Sequence, residues 1–136
     1  MSISYPKKIP EDVLSSFPGR GFNFHPARLP SYRGCLPTVW PILEGDKIAE
    51  YTMIVMDHDF DTGPIVDIEK IRIDPHETGW SLYQKLVTCL PALVKRNLSG
   101  ILNSCIPIAK PAKSNLSFLV RINELDLKPL NDFFCA

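Results

Sequence analysis

Residues 21–34 read Gly21-Phe22-Asn23-Phe24-His25-Pro26-Ala27-Arg28-Leu29-Pro30-Ser31-Tyr32-Arg33-Gly34. The opening of this stretch alternates. Phe22 and Phe24 fall on one side of an extended chain, Asn23 and His25 on the other, which is the period-two pattern of a strand with one face in a core. Pro26 has no backbone donor for a ladder, so the strand stops there. Both polar side chains therefore sit at the strand's C-terminal end, where open α/β sheets place their ligands. Pro26, Pro30 and Gly34 then make residues 26–34 a rigid loop.

Working outward, residues 50–56 read as a strand apolar on nearly both faces, 57–63 as a polar loop, and 64–73 as a second strand, so that the pair predicts an antiparallel hairpin. Upstream, residues 2–5 suit the end of a strand. Residues 10–14 suit a helix start, with Pro10 in the first turn and Glu11 and Asp12 at the positive end of the helix dipole. Residues 37–43 predict a short helix made irregular by Pro41, and Gly45-Asp46 a turn. The longest helical period runs over residues 78–98. Trp80, Tyr83, Val87, Leu90 and Val94 form its expected core-facing stripe, Thr78 its cap, Pro91 a kink or break, and Gly100 its end. Beyond residue 101 the pattern weakens, with one short strand or turn expected over 118–126. The fold class is α/β, with residues 1–100 as the structured unit and 101–136 as a linker-like tail.

The chain has 136 residues, 45% of them hydrophobic and 22% charged, which are the values of an ordinary globular domain able to bury a core without staples. A net charge of zero argues against a broad nucleic-acid or membrane footprint. Cys35, Cys89, Cys105 and Cys135 form no CxxC pair and the three histidines show no ligand spacing, so no metal site is expected. No secretion signal is visible and no stretch approaches ~20 apolar residues, so a cytoplasmic protein with reduced, free thiols is expected. Thirteen prolines, concentrated between Pro6 and Pro41, commit that region to turns and fixed loops.

Two clusters carry chemistry. A carboxamide donor beside an imidazole, as at Asn23 and His25, can stabilise a developing oxyanion and move a proton. The same pair also fits a hydrogen-bonded Asn and a buried His that merely anchor a loop. The second cluster, Asp57-His58-Asp59-Phe60-Asp61-Thr62-Gly63-Pro64, puts three acidic residues between two strands. It fits a solvated turn, the simpler reading for His58 and Asp59. It also fits a carboxylate brought against an imidazole, whose charged form such a neighbour favours. As a calcium loop it lacks the required spacing.

Together the clusters spell Asn-x-His-Pro-x-x-Leu-Pro-x-Tyr-Arg-Gly, followed by Asp-x-x-Phe-Asp-Thr-Gly-Pro-Ile. This pattern resembles the signature of the folate-dependent formyltransferases, which use 10-formyltetrahydrofolate and include methionyl-tRNA formyltransferase, sugar N-formyltransferases and the glycinamide ribonucleotide enzymes. The resemblance covers about residues 2–100. It implies that Asn23, His25 and Asp61 are catalytic. Asn23 and protonated His25 would stabilise the tetrahedral oxyanion, and Asp61 would hold His25 charged and help pass a proton to the departing folate nitrogen. It implies further that the N-terminal segment with Tyr5, Pro6, Lys7, Lys8 and Ile9, together with the loop of Asp57 and Asp61, lines the pterin pocket. Arg33, where the purine enzymes usually carry lysine, leans towards the tRNA and sugar branches, so the acceptor implied is methionyl-tRNA or a nucleotide-linked amino sugar.

The departures shape the expectation as much as the match. The family's domain begins with several alternating strands and helices, about 80 residues by the usual βαβ size, that this sequence does not show. The chain resembles the C-terminal half of a Rossmann-like catalytic domain, and the strand bearing Asn23 is expected to have an unpaired edge. The reading is a truncated or split enzyme, with a second chain supplying the N-terminal half. The alternative is a non-catalytic remnant or interaction module of the same family.

Overall fold

The computed structural model describes residues 1–3, 5 and 7–103. Its elements, in chain order, are β1 (Ser2–Ile3), α1 (Glu11–Ser15), β2 (Phe22–His25), α2 (Trp40–Leu43), β3 (Ile48–Val55), β4 (Ile65–Arg72) and α3 (Gly79–Asn103). The four strands form one sheet, ordered β1-β2-β3-β4. The fold is α/β, as the pattern predicts. Pairing is parallel between β1 and β2 and antiparallel for the rest.

The alternation at residues 22–25 decides how the layers lie. Phe22 and Phe24 enter the main core with Ala49, Tyr51, Met53 and Val55 of β3 and Leu82, Leu86 and Leu93 of α3. In the β2–β3 register Asn23 lies opposite Ile54 and His25 opposite Thr52, on the other face. That face receives the loop after β2. The Thr52 hydroxyl, fully buried, donates to the Ala27 carbonyl at 2.6 Å, and Arg28 lies 3.5 Å from Glu50. A smaller cluster of Ala27, Tyr32 and Trp40 fills the space beneath.

A cap fixes the start of α3 and two networks lock the helix to the hairpin. Thr78 caps its start, with the Ser81 amide donating to Thr78 Oγ1 at 3.1 Å and the Thr78 amide to Ser81 Oγ at 2.9 Å, a reciprocal box. Lys85 donates to the Arg72 carbonyl at 2.8 Å and to Asp74 at 2.7 Å. Arg96 and Asn97 both donate to Asp67 of β4 at 2.7 Å, and Arg96 also to Glu69 at 2.9 Å. Burial pushes the Asp67 carboxyl up, but these donors outweigh it and hold it below its ordinary value.

Several expectations are corrected. The buried stripe of α3 is Leu82, Leu86 and Leu93, with Leu90 and Val94 beside it. Trp80 is 67% exposed and stacks on Tyr83 instead of entering the core. The helix is unbroken through Pro91 and passes Gly100 to Asn103, the last described residue. The strand bearing Asn23 has no open edge, because the short β1 covers it. Cys89 is a free thiol as expected. Cys105, Cys135, Pro6 and the strand or turn expected over 118–126 lie outside the described residues, as does nearly all of the linker-like tail. Among the described residues no helix is long and apolar enough to cross a membrane, and no three His, Cys, Asp or Glu side chains are grouped to hold a metal.

Candidate active site

Asn23 and His25 leave β2 on one face because they are two residues apart, and the loop of residues 57–62 returns to meet them because β3 pairs with β2. The close return depends on Gly63. A Cβ there would lie 1.7 Å from the Val55 carbonyl oxygen, so only glycine admits the approach of the two backbones. Asp57 opens the loop, its carboxylate accepting from the Thr62 hydroxyl and, at 3.3 Å, from the Asp59 amide. His58 and Asp59 point to solvent 3.6 Å apart, as the solvated-turn reading has it.

Asp61 is where the two clusters join. Its backbone is left-handed, at φ 54°, a conformation that aspartate tolerates better than most side chains. The conformation is held from outside, since Arg33 Nε donates to the Asp61 carbonyl at 2.9 Å. The carboxylate then collects three groups. Asn23 Nδ2 donates to Oδ1 at 3.1 Å, the Gly34 amide donates to Oδ2 at 3.1 Å, and His25 Nδ1 lies 3.3 Å from Oδ2. The side chains of His25 and Asp61 are 6% and 9% exposed, so their attraction is little screened by water.

The other edge of the imidazole is also fixed. Nε2 lies 2.6 Å from the Tyr32 carbonyl oxygen, and since a carbonyl only accepts, Nε2 carries the hydrogen. That leaves the Nδ1 edge, shared with Asp61, as the edge not tied to the backbone. Asn23 keeps a second amide hydrogen beyond the one it gives to Asp61.

The structure brings Asn23, His25 and Asp61 together. Asp57 lies in the same loop but touches none of the three. Of the N-terminal positions, Tyr5, Lys7 and Lys8 are exposed and Ile9 is half-buried. Lys8 Nζ lies 3.9 Å from Asp59, which sets this segment beside the 57–61 loop. Sequence reasoning missed the backbone participants, the Tyr32 carbonyl and the Gly34 amide, because any residue supplies them. It also missed the grip of Arg33 on Asp61, for which the adjacency of Arg33 to a turn glycine is the sole hint.

Fold and cluster together define an α/β unit with an amide, an imidazole and a carboxylate converging at the end of an inner strand. Residues 2–96 match the family model described as formyl transferase, and the chain belongs to that family. Among curated proteins it is 33% identical over 112 residues to a methionyl-tRNA formyltransferase of Myxococcus xanthus, covering 81% of this chain and 36% of that protein. It is 28% identical over 123 residues to the methionyl-tRNA formyltransferase of Lachnospira eligens, covering 90% and 39%. Among solved structures it resembles the sugar 3N-formyl transferase WlaRD, solved in the presence of dTDP and 5-N-formyl-THF. That match has a TM-score of 0.76 at 28% identity, covering 85% of this chain and 42% of the other. The chain thus spans about two fifths of the length of the relatives it matches.

Proposed function

We propose that this chain carries the reaction centre of a formyltransferase that moves a formyl group from 10-formyltetrahydrofolate to a primary amine, on methionyl-tRNA or a nucleotide-linked amino sugar. The observation that carries this reading is the convergence of Asn23, His25 and Asp61 through contacts of 3.1 and 3.3 Å on the carboxylate. The folate is the formyl donor and presents a formyl carbonyl whose nitrogen is the leaving group.

Asn23 and the Nδ1 edge of His25 face that carbonyl oxygen. As the amine nitrogen adds to the formyl carbon, they donate to the oxyanion that forms, a charge absent from the ground state. Asp61 offsets the positive charge on the ring. It also accepts the proton that the attacking amine loses and relays it, through water, to the folate nitrogen as the carbon–nitrogen bond to the donor breaks. Tyr5, Lys7, Lys8, Ile9 and the loop from Asp57 to Asp61 are assigned to the pterin side on the closeness of the two segments.

Because the chain spans about two fifths of its relatives, turnover is assigned to the completed catalytic unit, with the N-terminal half joined covalently or supplied as a second chain. Arg33 supports the tRNA and sugar branches over the purine one.

The test is an assay of tetrahydrofolate release from 10-formyltetrahydrofolate with each candidate amine, on the completed unit and on the lone chain. Turnover by the completed unit with one of these amines is the expected result. No turnover with any of them, under conditions where a folate analogue binds, refutes the reading.

A further inference from the structure

The Tyr32 carbonyl that holds His25 belongs to a loop residue, and its position is set by a group far from the reaction. The Tyr32 ring is 6% exposed, and its hydroxyl donates to Asp46 Oδ2 at 2.8 Å. Asp46 sits in the connection between α2 and β3, and its amide donates to the Pro41 carbonyl at 2.8 Å. Arg28 ties the same oxygen down, with Nη1 3.4 Å from Asp46 Oδ2, and also reaches Glu50 and the Ile48 carbonyl. Within the loop, the Tyr32 amide donates to the Arg28 carbonyl at 2.9 Å. The phenol and the carbonyl of Tyr32 are therefore the two ends of one rigid strut, one end on Asp46 and the other on His25 Nε2.

We infer that Asp46 is a positioning residue for His25, acting through Tyr32 to hold the Nε2 hydrogen on the Tyr32 carbonyl and so to fix which edge of the ring faces Asp61. The inference rests on the reading of His25 as the catalytic imidazole, but its test does not. Glu50 and Thr52 hold the loop's other end, at Arg28 and Ala27, whereas the Asp46 contact acts on the residue whose carbonyl meets the ring.

The experiment is nitrogen-15 NMR of the histidine side chains in the full 136-residue chain, reading the tautomer of His25 and the solvent exchange of its Nε2 proton. His58 and His76 are exposed and serve as internal references. Tyr32→Phe removes the hydrogen bond at constant ring volume, and Asp46→Ala removes it from the other side. Each is expected to speed Nε2 exchange at His25 about tenfold, as loss of one buried hydrogen bond does, while the reference histidines stay unchanged. Asp46→Asn keeps an acceptor oxygen and is expected to restore most of the protection. Wild-type exchange at His25 in folded Tyr32→Phe overturns the inference, and that variant decides the matter should Asp46→Ala not fold. In a completed enzyme the same variants are expected to lower kcat with little change in KM. Should the completed enzyme show no transfer at all, the functional reading fails while the exchange result still stands or falls alone.

Discussion

Replacing Gly63 with alanine tests how tightly the fold controls the site. The added methyl group would stand 1.7 Å from the Val55 carbonyl oxygen and 2.9 Å from its carbon. Opening the contact to even 3.0 Å demands about 1.3 Å of backbone displacement. Neither side can give easily, because the Val55 amide donates to the Pro64 carbonyl at 2.9 Å and Val55 pairs with Phe22 in the sheet. Overpacking costs ~1–3 kcal/mol, and a clash between two tethered backbones belongs at the upper end. With a urea dependence of ~1–3 kcal/mol per molar, the unfolding midpoint should fall by at least about 1 M. Asp61 lies two residues away and holds its partners at 3.1 to 3.3 Å, so a loop shift of this size breaks those contacts. A misplacement of ~1 Å costs about 10²-fold in rate. The assays are urea unfolding followed by circular dichroism and turnover of the completed enzyme. A wild-type midpoint refutes the steric argument. A lowered midpoint with unchanged turnover shows that the strain is relieved away from Asp61.

Three further outcomes are expected. His25→Ala and Asp61→Ala should each lower turnover of the completed enzyme by ~10²–10³ with folate binding largely kept, whereas Asp57→Ala, which removes only loop contacts, should cost less; steady-state kinetics and a binding titration check this. Tyr51→Phe should leave stability unchanged or raise it by up to ~1–3 kcal/mol, because the Tyr51 hydroxyl is buried without a hydrogen-bond partner, and burial, then Tyr83, pushes its pKa up to about 12; urea unfolding at neutral pH gives the sign. Asp67 has a folded-state pKa held below its ordinary value, so its contribution is present above that ordinary value and is lost as pH falls through the folded one. Wild-type stability should therefore drop below about pH 4, and Asp67→Asn should flatten that drop; parallel acid titrations that superimpose would contradict it.

Much of the site was legible because it obeys a simple period. The alternation at 22–25 places Asn23 and His25 together, and the turn chemistry of residues 57–63 brings back a carboxylate. The hairpin and the cap at Thr78 were legible for the same local reasons. What failed was whatever depends on the partner surface. α3 carries apolar residues on more than one face, so the buried row is chosen by the approach of the sheet, which selects Leu82, Leu86 and Leu93 and leaves Trp80 outside. Gly100 did not end the helix because it does not adopt a left-handed φ, and Pro91 is accommodated in an otherwise continuous ladder. β1 spans two residues, too few for any periodicity to show. The strut through Tyr32 to Asp46 joins a backbone atom to a side chain in another connection, and no spacing rule announces such a link.

Asn23 and Asp61 are 38 positions apart, and Tyr32, Arg33 and Gly34, which hold His25 and Asp61 in place, all lie between them. The cluster of Asn23, His25 and Asp61 and the groups that seat it thus form one uninterrupted cassette of chain. Genetic exchange with breakpoints on either side of it carries these contacts whole. A chimera that draws residues 21–63 from one parent inherits a complete set of contacts. A crossover inside that span pairs a carboxylate from one lineage with an imidazole seated by another.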